Sequence, residues 1–399
     1  MNRTKRKSNR LYLPIPYSLL VLGFVFIFVL IFVLIIDPFL PSSSGDVLGL
    51  DRSIKLREYN PGLTVKEFGD NKNFEIDVNG FIQPSRVHDN PDGEIVFLGG
   101  STTACLTVPP LNRFPYKVGR LLEQDSSHKI NTYNGGVHGN ATLHTTNILI
   151  NKIIPMKPTM VVMMHNINDL AILIHEESYW NNNKYRSNIS YRKKPLKRAV
   201  EGIKDLLIPN LYFRLIPYKN MVQQNLTSLL KLFSSKKEKI DQEKTQQNVH
   251  ALASGAIDEF ASSRNPQKDI DEEKTVEEFS RALKVFVEIS RIYGIKPVLM
   301  TQANLLHETK TDGDKGLYHW AKNWGSVLAN DAATLKTENL YRSFNEAIRE
   351  VALSTNTVLI DLDRKIPKQE KYFFDIVHLS EKGSLLAASV IAGHLVNFL

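Results

Sequence analysis

Five short strand-like runs constrain the fold of this 399-residue chain more than any other feature. Four of them are continuous and largely apolar, which predicts strands covered on both faces, and the fifth, Ile130–Asn134, leads into two glycines. Segments with helical periodicity lie between them. This alternation predicts a doubly wound α/β domain with a parallel sheet, in which functional groups gather at the carboxyl ends of the strands. The runs are Glu94–Leu98, Ile130–Asn134, Thr159–Met164, Pro297–Thr301 and Thr357–Leu362.

Apolar side chains recur at helical spacing in two later segments, and Ser380 is expected to cap a final helix that runs through Leu399. The apolar faces are Phe279, Leu283, Val287 and Ile289 in one segment, and Leu340, Phe344, Ile348 and Val351 in the other.

Residues 176–275 interrupt the alternation with a long stretch rich in Lys, Asn, Gln and Ser. It is far longer than an ordinary connection between a strand and the next element. We therefore predict a helical insertion or lid here, with disorder around Ser234–Gln247.

Residues 17–36 are almost wholly apolar and long enough to cross a bilayer as a helix. The preceding residues 1–16 are basic without any acidic residue, so the positive-inside rule places them in the cytoplasm. Everything after residue 36 then lies outside the cytoplasm, in the periplasm of a bacterium with two membranes. A cleaved signal peptide is the alternative, but its apolar region is shorter and ends at a small-x-small site. We expect an uncleaved anchor, followed by a linker and N-terminal extension over residues 37–93.

Composition narrows the classes of partner. The formal net charge is +8, part of it in the N-terminal tail, and the chain contains no recognised nucleic-acid motif. Cys105 is the single cysteine, which excludes an intrachain disulfide and a multi-cysteine zinc site. We expect no nucleic-acid partner, no metal and no cofactor.

Four short polar segments carry candidate chemistry, and each follows a predicted strand or precedes the last helix. Each is an ordinary turn sequence by itself. Serine catalysis needs a nucleophile, a base, an orienting carboxylate and donors for an oxyanion, and the four segments together supply all of them. They are Gly99–Thr103, Asn134–Thr142, His165–Asp169 and Asp375–His378.

The residue types suit particular roles in that chemistry. Glycines before Ser101 allow the sharp turn that leaves the serine at the end of its strand. Three residues apart on a turn, Asp375 can bond one imidazole nitrogen of His378 and leave the other to take the serine proton. The side-chain amide of Asn168 can donate to an oxyanion.

The order of these residues resembles that of the SGNH (GDSL-like) hydrolases, in the blocks GGSTT, NGGVHGNAT, HNINDL and DIVHLSEKG. The resemblance spans residues 94–399 without the insertion and implies a flavodoxin-like α/β/α three-layer sandwich. It implies that Ser101, Asp375 and His378 are catalytic. The backbone N–H groups of Ser101 and Gly139 and the amide of Asn168 would form the oxyanion hole.

Two positions depart from the family's pattern. Gly100 replaces the Asp of the founding motif, and Asn166 stands where Gly is usual. The second departure is expected to narrow or repolarise the pocket, and so to alter substrate preference more than catalysis.

Weaker candidates accompany these. His138, His144 and His165 lie near predicted strand ends, and lone histidines are more often structural than functional. No sequence pattern indicates activation of Cys105, which is expected to be buried. Glycosylation sequons begin at Asn140, Asn188 and Asn225, and the first is discounted because it adjoins the proposed oxyanion site.

The sequence therefore predicts a membrane-anchored, extracytoplasmic serine esterase that forms an acyl-serine intermediate. Its substrate would be a small ester or an acylated glycan, for example the O-acetyl groups of a cell-surface glycan. Two alternatives stay open: an O-acyltransferase that acts on a polysaccharide with the same residues, and a non-catalytic glycan-binding or assembly protein. The acyl group, the alcohol and the oligomeric state are not determined by the sequence.

Overall fold

The computed structural model describes residues 21–28, 31, 52–54, 56–65, 74–125, 128–181, 187–191, 270–306 and 331–398. The chain forms two compact units, residues 1–53 with 191–238 and residues 54–190 with 239–399. The second unit holds the central sheet and the candidate site.

Three predictions fall largely outside those ranges. Within the described residues, no helix is long and apolar enough to cross a membrane. Residues 21–28 of the apolar segment are helical, but the rest of residues 17–36, apart from residue 31, lies outside the description. So do the linker at residues 37–45 and most of the insertion at residues 176–275, including residues 234–247. The membrane anchor and the insertion stay predictions.

The described strands are β1 (Arg52–Ile54), β2 (Thr64–Val65), β3 (Phe74–Glu75), β4 (Gly93–Gly99), β5 (Ile130–Gly136), β6 (Met160–Met164), β7 (Ile189–Tyr191), β8 (Lys296–Met300) and β9 (Val358–Ile360). Five of them form the central sheet, all parallel, in the order β5-β4-β6-β8-β9. Every residue of β6 is buried, as its continuous apolar run predicts, and every residue of β5 is buried as well, although several of them are polar.

The first sheet strand along the chain, β4, lies between the second and third strands, β5 and β6. The chain therefore winds outward in both directions from β4. In open parallel sheets this reversal leaves a crevice at the carboxyl ends of the strands, where ligands bind.

Helices cover the sheet in two groups: α2 packs against α8, while α3, α4, α5 and α6 pack among themselves. With both faces of the strands buried, this gives the α/β/α arrangement. The helices are α1 (Ser101–Ala104), α2 (Phe114–Asp125), α3 (Thr142–Ile148, continued by a π-helical turn Leu149–Ile153 and a last turn Ile154–Met156), α4 (Ile167–Glu176), α5 (Glu272–Ile292), α6 (Asp331–Ser354), α7 (Leu362–Lys365) and α8 (Glu381–Leu395). Short 3₁₀ turns lie at Pro110–Asn112, Glu370–Tyr372 and Val396–Phe398.

The predicted helix faces are buried as expected, except that Ile289 is only half-buried. Ser380 caps α8, because its hydroxyl accepts a hydrogen bond from the Gly383 N–H at 3.2 Å. The helix ends at Leu395, and the remaining residues form a 3₁₀ turn.

The N-terminal extension packs on the edge of the sheet. The Ile82 N–H donates to the Asn134 carbonyl at 2.9 Å, which forms an antiparallel bridge to the edge strand β5. The domain predicted to begin at residue 94 therefore shares its packing with the residues before it. A second small core combines both parts, with Phe74, Ile76 and Ile82 from the extension and Ala104 and Leu106 from the segment after β4.

Candidate active site

The site lies where β4, β5 and β6 end side by side, since Gly99 is in register with Gly136 on one side and with Met164 on the other. Ser101 begins helix α1 two residues after β4 ends. A Cβ on Gly99 would come within 2.6 Å of the Met164 carbonyl, and one on Gly136 within 2.7 Å of the Ala104 Cα. Glycine is therefore required for α1 to turn so closely over the strand ends.

Ser101, His378 and Asp375 form one hydrogen-bonded chain, although the first two are 277 residues apart. His378 Nε2 lies 2.9 Å from Ser101 Oγ, and His378 Nδ1 lies 2.7 Å from Asp375 Oδ2. The other carboxylate oxygen, Asp375 Oδ1, accepts hydrogen bonds from the N–H groups of Val377 at 2.9 Å and His378 at 2.8 Å. These bonds hold the carboxylate in one orientation toward the imidazole.

The electrostatics of the pair suit a catalytic base. Burial raises the pKa of the Asp375 carboxyl, but the attraction of His378 and the backbone N–H bonds outweigh it, so the net pKa is lowered. Burial alone would lower the pKa of the His378 imidazole, and the charge and hydrogen bond of Asp375 raise it above its ordinary value. An ionised Asp375 keeps a proton on Nδ1, which leaves the Nε2 lone pair to face the serine hydroxyl.

Three candidate oxyanion donors lie on the segments that follow the ends of β4, β5 and β6. The Asn168 Nδ2 donates one hydrogen to the Asn140 carbonyl at 2.8 Å, and its second hydrogen stays available because a primary amide has two. The Ser101 N–H, at the first position of α1, has no acceptor within its helix. Gly139 adopts φ +70°, a conformation that favours glycine, and its N–H donates no hydrogen bond to any described residue.

Gly100 makes room for the Asn168 amide. A Cβ on Gly100 would collide with Asn168 Nδ2 and would lie 3.3 Å from the Asn140 carbonyl oxygen. Gly100, which replaces the Asp of the founding motif, therefore leaves the space that the Asn168 amide occupies.

Asn166, the second position that departs from the family's pattern, makes contacts that connect two helices. Asn166 is buried, and its Nδ2 donates to the Tyr341 carbonyl at 2.9 Å and to Asn345 Oδ1 at 3.1 Å. Its amide thus ties the start of α4 to α6. The expectation that Asn166 narrows or repolarises the pocket is not supported by these contacts.

Sequence reasoning missed Gln302, which follows β8 at the same edge of the sheet. Its Nε2 donates to Thr102 Oγ1 at 2.7 Å, and its Oε1 accepts from the Ile167 N–H at 3.0 Å and the Tyr341 hydroxyl at 2.9 Å. Gln302 is buried and connects α1, α4 and α6 beneath the serine. Its place after a continuous apolar strand was the signal that could have identified it.

Sequence reasoning also missed Arg57 and Tyr59 in the extension. The Asn140 Nδ2 donates to the Arg57 carbonyl at 3.0 Å, and the Tyr59 hydroxyl bonds to His138 Nδ1. These contacts join residues about 80 apart, and no local pattern signals them.

The other histidines divide into two kinds. His165 Nε2 bonds Thr145 Oγ1 at 2.7 Å, and burial lowers the pKa of His165 to about 3. His144 is buried, and its Nδ1 accepts from the Ala141 N–H at 3.2 Å. Both therefore serve structure, whereas His138 adjoins Gly139 at the site.

The remaining candidates are buried. Cys105 lies in the core, as expected. The sequon residues Asn140 and Asn188 are also buried, which does not favour glycosylation at either. Asn225 lies outside the described residues.

The Asn168 amide is expected to account for a large part of oxyanion stabilisation. Asn168→Ala should lower kcat for an ester by about 10²–10³-fold, the usual cost of losing one such donor. Gly100→Ala should lower kcat as well, because the new Cβ displaces the same amide. The double variant should be scarcely worse than Asn168→Ala alone, since both changes remove one interaction. Independent, multiplying losses in kcat would show that Gly100 acts in some other way.

A buried carboxyl beside the oxyanion residues gives a prediction about stability. Asp169 accepts hydrogen bonds from the Thr142 N–H and the Tyr179 hydroxyl, yet burial raises its pKa from 3.8 to about 6. The folded protein thus holds this proton more tightly than the unfolded chain. Ionisation of Asp169 therefore destabilises the folded protein. The free energy of unfolding falls as pH rises from about 4 to 6, and above that range the full loss is about 3 kcal/mol.

Asp169→Asn should remove that dependence. Denaturant unfolding at several pH values between 4 and 7.5 should show the wild type losing free energy of unfolding relative to the variant as pH rises. Asp89→Asn, at an exposed carboxylate, is the matched control and should follow the wild type. Parallel curves for the wild type and Asp169→Asn would contradict the assignment of a raised pKa to Asp169.

No family model matches the chain, and no curated protein matches it. Among solved structures, the chain is similar to an acetylxylan esterase from Geobacillus stearothermophilus, with 13% identity, a TM-score of 0.38, and coverage of 77% of this chain and 95% of that one. It is also similar to a protein described as a GDSL-like lipase from Parabacteroides merdae ATCC 43184, with 12% identity, a TM-score of 0.40, and coverage of 77% and 98%.

Proposed function

We propose that this chain is a serine esterase of the SGNH class that hydrolyses an ester through an acyl-serine intermediate. The observation that carries the proposal is the hydrogen-bonded chain from Asp375 through His378 to Ser101, with oxyanion donors beside the serine. The order of these residues along the sequence supports the same class.

The geometry gives each residue a role in the reaction. Ser101 Oγ attacks the ester carbonyl carbon while His378 Nε2 takes its proton, and Asp375 stabilises the resulting imidazolium. The N–H groups of Ser101 and Gly139 and the Asn168 amide hold the negative oxygen of the tetrahedral intermediate. His378 then protonates the leaving alcohol. Water, activated by the same imidazole, hydrolyses the acyl-serine and regenerates the free hydroxyl.

The cellular setting is a further part of the proposal. The basic residues 1–16 and the apolar residues 17–36 support a single-pass anchor with its catalytic domain outside the cytoplasm. An enzyme held there meets cell-surface polymers, and their O-acetyl esters are the substrates we propose. No nucleic acid, metal or cofactor has a role in this reaction.

Hydrolysis by the purified full chain tests the proposed activity. Release of p-nitrophenol from acetate, butyrate and octanoate esters, and of acetate from an O-acetylated polysaccharide, should reveal turnover with a preference for the short acyl chain. Transfer of the acetyl group to an added sugar without net hydrolysis would instead support the acyltransferase alternative. Neither turnover nor covalent labelling by a fluorophosphonate would reject catalysis and favour the glycan-binding alternative.

A further inference from the structure

Residues 56–59 of the extension, here called the N-terminal strap, lie against the loop that carries the oxyanion donor Gly139. Lys152 holds the strap through an ion pair with Glu58 at 2.6 Å. The side-chain amide of Asn140 donates a hydrogen bond to the backbone carbonyl of Arg57 in the strap. The Arg57 guanidinium in turn donates to the His138 carbonyl at 3.4 Å. The strap is thus attached to the loop through both backbone and side chains.

The Tyr59 hydroxyl is in position to set the tautomer of His138, because it contacts both the backbone N–H and the ring nitrogen Nδ1 of that residue. It accepts a hydrogen bond from the His138 backbone N–H at 3.3 Å, so its own proton is available to the ring nitrogen Nδ1 with which it is also in contact. An Nδ1 that accepts this proton carries none of its own. A neutral imidazole then has its hydrogen on Nε2. Burial, and next the charge of His378, lower the pKa of His138 to about 3, which keeps the ring neutral.

The Nε2–H of His138 is left for a ligand. Among the described residues, none forms a hydrogen bond with this nitrogen, and the residue as a whole has intermediate exposure although its ring is shielded from water. His138 adjoins the candidate donor Gly139 in sequence, and the charge of His378 acts on its ring. The Nε2–H group therefore lies on the loop that carries Gly139, near the catalytic base.

The chemistry of an ester identifies which part of the substrate this donor meets. The carbonyl oxygen already has three donors, from Ser101, Gly139 and Asn168. A simple acyl chain such as acetyl carries no other hydrogen-bond acceptor. The acceptors that remain belong to the alcohol, whose oxygen is released at His378.

We propose that His138 is a specificity-determining residue whose Nε2–H binds an oxygen of the alcohol half of the substrate, and that Tyr59 positions it. The substrate class is then an ester of a polyhydroxy alcohol such as a sugar, with a free hydroxyl near the ester. This inference rests on the proposed esterase function and specifies its substrate.

The test compares two acetate esters that differ in the alcohol: p-nitrophenyl acetate, and a methyl glycoside with one O-acetyl group and a free neighbouring hydroxyl. The wild-type full chain should have the higher kcat/KM on the glycoside ester after correction for leaving-group reactivity. His138→Leu should lower the ratio of kcat/KM values, glycoside over p-nitrophenyl, by about 10-fold or more, as expected for the loss of a hydrogen bond to a buried polar partner. His138→Gln, whose amide N–H can replace Nε2–H, should restore most of the ratio.

Tyr59→Phe separates a positioning role from a structural one. It should lower the ratio in the wild-type background, because the tautomer of His138 is no longer fixed. It should have little effect on the ratio in the His138→Gln background, since an amide has no tautomers to fix. An equal loss in both backgrounds would show that Tyr59 merely supports the loop. His394→Leu, a histidine on α8 outside the site, is the control and should keep the wild-type ratio.

The outcomes distinguish this inference from the proposed function. Fluorophosphonate labelling of Ser101 should persist in every His138 and Tyr59 variant, which shows that the serine site is still assembled. If labelling and turnover persist while His138→Leu leaves the ratio unchanged, the role of His138 is wrong and the esterase stands. If the wild type neither labels nor turns over either ester, the proposed function itself fails.

Discussion

Ser101→Ala is expected to lower kcat for ester hydrolysis by about 10⁶-fold, the loss typical of removing the nucleophile of a serine hydrolase. The variant retains the oxyanion donors, so any residual rate should come from them and from substrate binding. Among the described residues the Ser101 hydroxyl bonds to His378 alone, and the fold should tolerate its removal. Rates of p-nitrophenyl acetate hydrolysis by the wild type and the variant provide the measurement.

Ser389→Ala is the matched control, because Ser389 is exposed on α8 and its hydroxyl donates to the Leu385 carbonyl of its own helix. It should hydrolyse the ester at the wild-type rate. If Ser101→Ala kept a substantial share of the wild-type kcat, a nucleophile other than Ser101 would have to carry the reaction.

Asp375→Asn is expected to lower kcat by about 10⁴-fold without displacing the loop. The Asn oxygen can still accept from the N–H groups of Val377 and His378, as Asp375 Oδ1 does. Its amide, however, donates a hydrogen to His378 Nδ1 where the carboxylate accepted one. The imidazole proton then moves to Nε2, which can no longer take a proton from Ser101.

The pH dependence provides a second readout for the same variant. Activity requires neutral His378, whose pKa Asp375 raises above its ordinary value, so wild-type kcat/KM should rise with pH through that raised pKa. In Asp375→Asn, which lacks the carboxylate, the rise of kcat/KM with pH should occur at a lower pH than in the wild type. A 10⁴-fold loss with no shift of this limb would indicate that Asp375 acts only on structure. Asp89→Asn should leave both the rate and the limb unchanged, because Asp89 is exposed and outside the site.

The fold could be predicted because its signals are local. Four of the five sheet strands are short, largely apolar runs, and the structure places all five predicted strands in one parallel sheet with shifts of at most two residues at their ends. The Asp375–His378 contact is also local, since it joins residues three apart. The meeting of Ser101 with His378 follows from topology, because both lie at the carboxyl edge of the sheet.

What the sequence did not predict depends on contacts between distant residues. The strap residues Arg57 and Tyr59 reach the oxyanion loop across some 80 residues, through a backbone carbonyl and a hydroxyl that have no sequence signature. The steric relation between Gly100 and Asn168 depends on the exact turn after β4, which no residue pattern specifies. The contacts of Asn166 were not predicted for the same reason, because its partners Tyr341 and Asn345 lie on a helix 175 or more residues away.

The most direct test of the catalytic serine is to map the residue that a fluorophosphonate modifies in the full chain. Such probes react with a serine only when a base activates its hydroxyl and an oxyanion hole receives the phosphoryl oxygen. Mass spectrometry should find one adduct, on the peptide that contains Ser101, and Asp375→Asn should slow its formation. No adduct, or an adduct on another residue, would contradict the assignment of Ser101, His378 and Asp375 as the catalytic residues.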